Sequence, residues 1–304
     1  MSWAWVPIVV WAALAQTARN AAQRSLVAQA GTLGATLARF HYGLPFAAAW
    51  VVLLHVLPAT RAPLPTFGLG YFGWLALGAS GQLAATAFLL AAMKQRNFVI
   101  GVAYSKTDAL QVALFGTLLL RELPGWITML AMALATAGVV MLSLPQKKGA
   151  VAQGTRSWTG AAAWYGLASG AGFAFSAVGY RGAALELPGV APWLIGAWGV
   201  LWAQALQTAV LGGWLAWRSP ESLRAITRAW RVSLVAGLAG ALASIGWFTA
   251  FALTSAANVR TLGMVEVVFS YLVSHRLMRE KLTRAEKLGL LLVAGGIAAL
   301  TLQL

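Results

Sequence analysis

The chain has 304 residues, of which 60% are hydrophobic and 10% charged, against about 25% charged in a soluble globular domain. Its 22 Lys and Arg outnumber 7 Asp and Glu, but the bases stand in short connections between long apolar runs, the pattern of a membrane protein and not of a nucleic-acid binder. There is no cysteine, which excludes disulfides and thiolate metal sites, and His41, His55 and His275 are too far apart in sequence for a metal-ligand spacing.

A bilayer-spanning helix needs about 20 mostly apolar residues. Ten segments qualify: 3–23, 32–57, 66–92, 97–120, 125–144, 158–180, 191–216, 230–253, 258–278 and 285–303. In the first, Ala13-Leu14-Ala15 looks like a leader-cleavage site, but no Lys or Arg precedes it and the apolar run continues, so a retained helix is expected. Breakers mark the turns: Pro58, Pro63 and Pro65, Pro124-Gly125, Pro188-Gly189, and Ser219-Pro220. The longest polar link, 145–157, separates a five-segment unit over 1–144 from another over 158–304. Five is odd, so the two units enter the membrane from opposite sides. The expected fold is an all-α membrane protein of ten transmembrane helices, two inverted five-helix repeats around a central cavity.

Basic residues orient the chain. Sixteen Lys and Arg fall in the turns after segments 1, 3, 5, 7 and 9, Arg19 among them; four fall in the opposite turns, namely Arg61, Arg121, Arg181 and Arg260. That bias places the sixteen and the 145–157 link in the cytoplasm and both termini outside, in an inner-membrane protein. Trp3, Trp5, Trp74, Trp126, Trp158, Trp193, Trp214, Trp217 and Trp230 lie near segment ends, where tryptophan anchors the interfaces.

Residues 103–144 and 261–302 align without a gap and share nine identities. Asp108 matches Glu266, each an acid inside an apolar run; Arg121-Glu122 matches Arg279-Glu280; Gly138 matches Gly296. An acid at membrane depth is expensive, and two at equivalent positions mark an internal repeat with a shared purpose. Asp108 is fourteen residues from Glu122, about 21 Å of helix, which puts it near the bilayer centre. Tyr104, Gln111 and Phe115 share its helix face, while Lys106 points elsewhere. Two readings compete for Asp108 and Glu266: a substrate or proton site, and a structural ion pair that locks helices. Arg39 lies inside segment 2 beside His41 and Tyr42, and is expected to pair with Asp108 or Glu266 or to bind an anionic group; its alternative is snorkelling to the surface. Lys106 needs a carbonyl, an acid or water, and Asp108 is its expected partner or that of Arg39. Trp198 and Trp202 are one turn apart, as are Trp247 and Phe251; either pair could face a ligand or simply pack. Glu122 and Glu280 read as local pairs with the arginines beside them.

The stretch MVEVVFSYLVSHRLMREKLTRAEKLGLLLVAGG resembles the EamA-type repeat of the drug/metabolite transporter superfamily. That family places acid-proline-valine near mid-helix, then a small residue before Glu, a polar turn and a helix ending in glycine. Here Glu266-Val267-Val268 lacks the proline, and Arg279-Glu280 replaces Gly-Glu. Arg39-Phe40 matches the family's arginine in the second helix; its counterpart in the second half is near Trp198, so no second arginine is present. Ser105-Lys106-Thr107-Asp108 stands where the family has proline and apolar residues. The resemblance implies a ten-helix inner-membrane carrier of amino acids, metabolites or drugs, with a central cavity.

The expected function is therefore secondary transport, the export of a small metabolite such as an amino acid by alternating access. An incoming proton would use Glu266, in antiport with the substrate. The alternative is a carrier of organic cations; an intramembrane enzyme is the alternative from another class. No GxxxxGK[ST] loop is present, so neither ATP nor another cofactor is expected.

Overall fold

The computed structural model describes residues 3–57, 63–95, 102, 105–143, 161–278 and 284–301. The 145–157 link, Tyr104 and Trp158 lie outside them. Among the described residues no strand occurs. The helices are α1 (Trp5–His41), α2 (Leu44–Val56), α3 (Leu69–Gln95), α4 (Asp108–Leu120), α5 (Trp126–Ser143), α6 (Ala161–Leu185), α7 (Pro192–Arg218), α8 (Pro220–Arg228), α9 (Trp230–Leu253), α10 (Ala256–Leu262), α11 (Val265–Met278) and α12 (Arg284–Thr301). Among the described residues four stretches, Trp5–Val56, Leu69–Gln95, Pro192–Arg218 and Trp230–Leu253, are long and apolar enough to cross a bilayer. The protein is a multi-pass helical membrane protein.

Four departures from uninterrupted helix position the site. Within α1, Gly31 adopts φ 69° and ψ 173°, a conformation essentially reserved for glycine, and it divides the first two segments. The second segment breaks again at Tyr42–Gly43, where α9 crosses it closely: a Cβ on Gly237 would lie 2.6 Å from the Cβ of Tyr42. The ninth segment breaks at Gly263–Met264, between α10 and α11, and α4 starts after a turn at Lys106–Thr107. As a result Asp108 and Glu266 each occupy the first turn of a helix, where the unpaired N–H groups and the helix dipole favour a carboxylate.

The most extensive helix packings each join one half of the chain to the other: α3 with α6, α1 with α9, and α5 with α12. Small residues let the backbones meet. In the α3–α6 crossing a Cβ on Gly81 would lie 2.8 Å from the Gly172 carbonyl oxygen, and one on Gly179 would lie 2.7 Å from the Gly78 Cα. In the α5–α12 crossing Gly138 meets Gly289 and Val293, and Gly296 meets Ala131 and Ala135. The repeat-equivalent glycines thus make reciprocal contacts. Trp3, Trp126, Trp193, Trp214, Trp217 and Trp230 are exposed, as anchors should be, but Trp5 is buried in the core.

Candidate functional site

Among the described residues the interior holds six buried charged side chains of both signs, Arg19, Arg39, Lys106, Asp108, Arg260 and Glu266, none more than 6% exposed. Helix breaks bring them together from both halves of the chain.

Glu266 is the hub. Lys106, arriving from the turn ahead of α4, forms an ion pair with its Oε2. Gln16 Nε2 donates to Oε2 at 2.6 Å and Asn20 Nδ2 donates to Oε1 at 2.8 Å. The oxygens of the same two amides accept from Arg19, whose Nη1 reaches Gln16 at 3.2 Å and whose Nε reaches Asn20 at 3.1 Å. Each amide therefore bridges Arg19 to Glu266. Gln16 Oε1 also accepts from Trp247 Nε1 at 2.9 Å.

Asp108 pairs with Arg260 of α10. The Arg260 guanidinium stacks over Phe173 and Trp247, 5.2 and 5.4 Å from their ring centres, within cation–π range. Each acid is thus held by a base from the opposite half. The pairing expected from the sequence is exchanged: Lys106 goes to Glu266, not Asp108, and Asp108 takes Arg260. That Lys106 points off the Asp108 face is what lets it reach Glu266.

Arg39 pairs with neither acid. It is 1% exposed, so it does not snorkel. Its Nη1 donates to Thr86 Oγ1 at 3.0 Å and its Nη2 to Ser244 Oγ at 3.4 Å, and its Nε is buried without a partner. Beside it runs a neutral polar group. Tyr180 donates to Gln82 Oε1 at 3.0 Å, and Gln207 Nε2 donates to Gln82 Oε1 and to the Ala79 carbonyl, both at 2.9 Å. Both amide atoms of buried Gln204 and the hydroxyl of buried Tyr71 have no partner. A cavity of about 10 Å³, lined by Tyr71, Tyr180, Ile195, Gly199 and Phe248 among others, adjoins this group and is about the size of one water.

The other expected site residues are scattered. Gln111 is half-buried and donates to Thr107 Oγ1 at 3.3 Å. His41 is exposed, edge-on to Tyr42. Trp198 donates to His55 Nε2 at 3.1 Å and stacks with Trp202 in a peripheral aromatic group with Phe67. Of the aromatic candidates among the described residues, only Trp247 touches the ionised cluster. Tyr104 is outside the described residues. Glu122 pairs not with adjacent Arg121 but with Arg181 of α6, at 2.8 Å, while Arg181 Nη1 donates to the Phe251 carbonyl at 2.8 Å; this ties the α4–α5 turn, α6 and α9 together.

The sequence reading missed Gln16, Arg19, Asn20 and Arg260. For α1 a signal existed. Gln16, Arg19, Asn20 and Gln23 stand at i, i+3, i+4 and i+7, a polar stripe on an otherwise apolar helix, and all four are buried.

A multi-pass helical protein whose interior assembles charges from broken helices has the build of a membrane transporter. The model of the EamA-like transporter family matches residues 160–302, so the second half of the chain is similar to that family. A solved structure, titled only as a crystal structure of a protein, superposes with a TM-score of 0.70 at 18% identity, covering 100% of this chain and 97% of that one; it shares the fold. None of the curated proteins matches.

Proposed function

We propose that this protein is a secondary transporter that exports a small metabolite across a bacterial-type inner membrane by alternating access. The observation that carries the reading is the cross-half ion pairing: Lys106 with Glu266 and Asp108 with Arg260, beside a helix break in each half. Rocking one half against the other has to break both pairs, so the cluster is a natural pivot and binding site. Supporting a ten-helix inverted repeat, the α3–α6 and α1–α9 packings exchange when the two halves are exchanged, and α5–α12 maps onto itself. In this arrangement the 145–157 link is cytoplasmic and both termini are outside.

Glu266 is the proposed proton site. Its two oxygens already accept from Lys106, Gln16 and Asn20, so an arriving proton displaces a donor and loosens the tie between the halves. Asp108, Arg39, Lys106, Gln111 and Trp247 are proposed as substrate-facing residues, now joined by Gln16, Arg19, Asn20 and Arg260. Trp247 is occupied by Arg260, which weighs against the organic-cation alternative, as does the surplus of buried bases.

The test is efflux from cells carrying the protein, with a panel of labelled amino acids and other small metabolites. The reading expects one chemical class to leave faster than from cells carrying Glu266→Gln. Equal efflux of the whole panel from both, at equal membrane levels, overturns it.

A further inference from the structure

Among the described residues, four buried bases, Arg19, Arg39, Lys106 and Arg260, face two buried acids, Asp108 and Glu266. Lys106 and Arg260 are matched, which leaves two arginines in excess. Arginine does not shed its proton in a protein, so this surplus persists. Arg19 shares Glu266 only at second hand, through Gln16 and Asn20. Arg39 has two hydroxyls and an unpartnered Nε. A buried charge without an opposite charge is costly, and the starts of α4 and α11 add partial positive charge to the same layer.

The stems of the two surplus arginines pass the same point of α9. A Cβ on Gly240 of α9 would lie 3.4 Å from the Arg39 Cβ and 3.5 Å from the Arg19 Cδ. Two arginines rooted this close suit an oxyanion, which each can grip through paired N–H groups.

We infer that the site takes a small organic anion, gripped through a carboxylate or phosphate group by Arg39 and Arg19, an inference that rests on the carrier reading above. The anion supplies the negative charge the interior lacks, while neighbouring Gln204, Gln207 and Tyr71, each with an unpartnered polar atom, meet its uncharged part.

The experiment uses the full chain purified in a neutral detergent, with succinate and inorganic phosphate as probes against succinamide and chloride at equal ionic strength. Succinate, phosphate or both should raise the melting temperature saturably, and succinamide and chloride should not; which oxyanion acts assigns carboxylate or phosphate. Arg39→Gln should weaken that response about tenfold or more, by loss of charge-assisted hydrogen bonds, and without ligand should melt higher than wild type because a lone buried charge is gone. Arg39→Lys, which keeps the charge and loses the fork, should respond weakly. Equal responses to succinate and succinamide, or no response to either oxyanion together with a lower-melting Arg39→Gln, overturn the inference. Reconstitution separates the two readings. Oxyanion binding without flux removes the carrier and keeps the site; flux of a neutral or cationic metabolite, indifferent to saturating succinate and phosphate, keeps the carrier and removes the anion.

Discussion

Lys106 and Glu266, 160 positions apart in sequence, form one buried ion pair. The second pair, Asp108 with Arg260, also joins the halves. A buried pair is weak evidence for stability, because desolvation offsets much of the attraction, but removing one partner strands the other. Lys106→Met alone should therefore destabilise by about 3–5 kcal/mol. Lys106→Met/Glu266→Gln should recover most of that loss. Thermal unfolding of the singles and the double in detergent measures the coupling, and strictly additive effects would show that the two do not act as a pair.

Arg181 fastens three elements, through Glu122 and the Phe251 carbonyl. In the proposed orientation this knot is at the outer end of the site. The cysteine-free chain gives a silent background for Glu122→Cys/Arg181→Cys. Bridging the two with a short bismaleimide should stop flux, and the singly substituted proteins should keep it under the same treatment. Full flux after complete bridging would show that these elements do not separate during transport.

Adjacent glycines in α12 make a sharp comparison. A Cβ on Gly296 would lie 2.6 Å from the Ala131 carbonyl oxygen, whereas nothing lies within 4 Å of one on Gly295. Alanine is favoured over glycine in a helix by about 0.5–1 kcal/mol. Gly295→Ala should thus leave the melting temperature unchanged or raised, and Gly296→Ala should lower it. Equal effects would mean that α5 and α12 do not cross there.

Topology is tested by reporter fusions. Fusions in the 145–157 link should report cytoplasm, and a fusion after Leu304 should report the outer side. An extracytoplasmic link would reverse the orientation and with it the assignment of Arg181 to the outer end.

Much of this architecture is written in hydropathy, glycine placement and the matched acids. Asp108 and Glu266 stand out because charge inside an apolar run is so costly. Their partners do not, and the reason is physical. The sequence reading counts Arg19 with a cytoplasmic turn because it stands near the end of the first segment, 3–23, but the helix runs on to the break at Gly31 and carries Arg19 inside. Arg260 was counted with an outer turn, yet α10 buries it against Asp108, Phe173 and Trp247. Moving one base from each side leaves the orientation bias intact. Hydropathy measures a residue's own cost, while burial is decided by helices distant in sequence. The breaks before Asp108 and Glu266 were equally hidden, since the Glu266 stretch has no proline to announce one. His41, Trp198 and Trp202 mark the converse case: residues with chemistry in their side chains that face away from the charged cluster.

The most direct measurement is flux into proteoliposomes with and without an imposed pH gradient, for wild type and Glu266→Gln, with labelled members of whichever class the efflux panel selects. The account predicts that wild type accumulates the substrate in response to the gradient, whereas Glu266→Gln, which mimics the protonated acid, only exchanges it. A wild type indifferent to the gradient, or a Glu266→Gln protein that still accumulates substrate in response to it, would contradict the role given to Glu266.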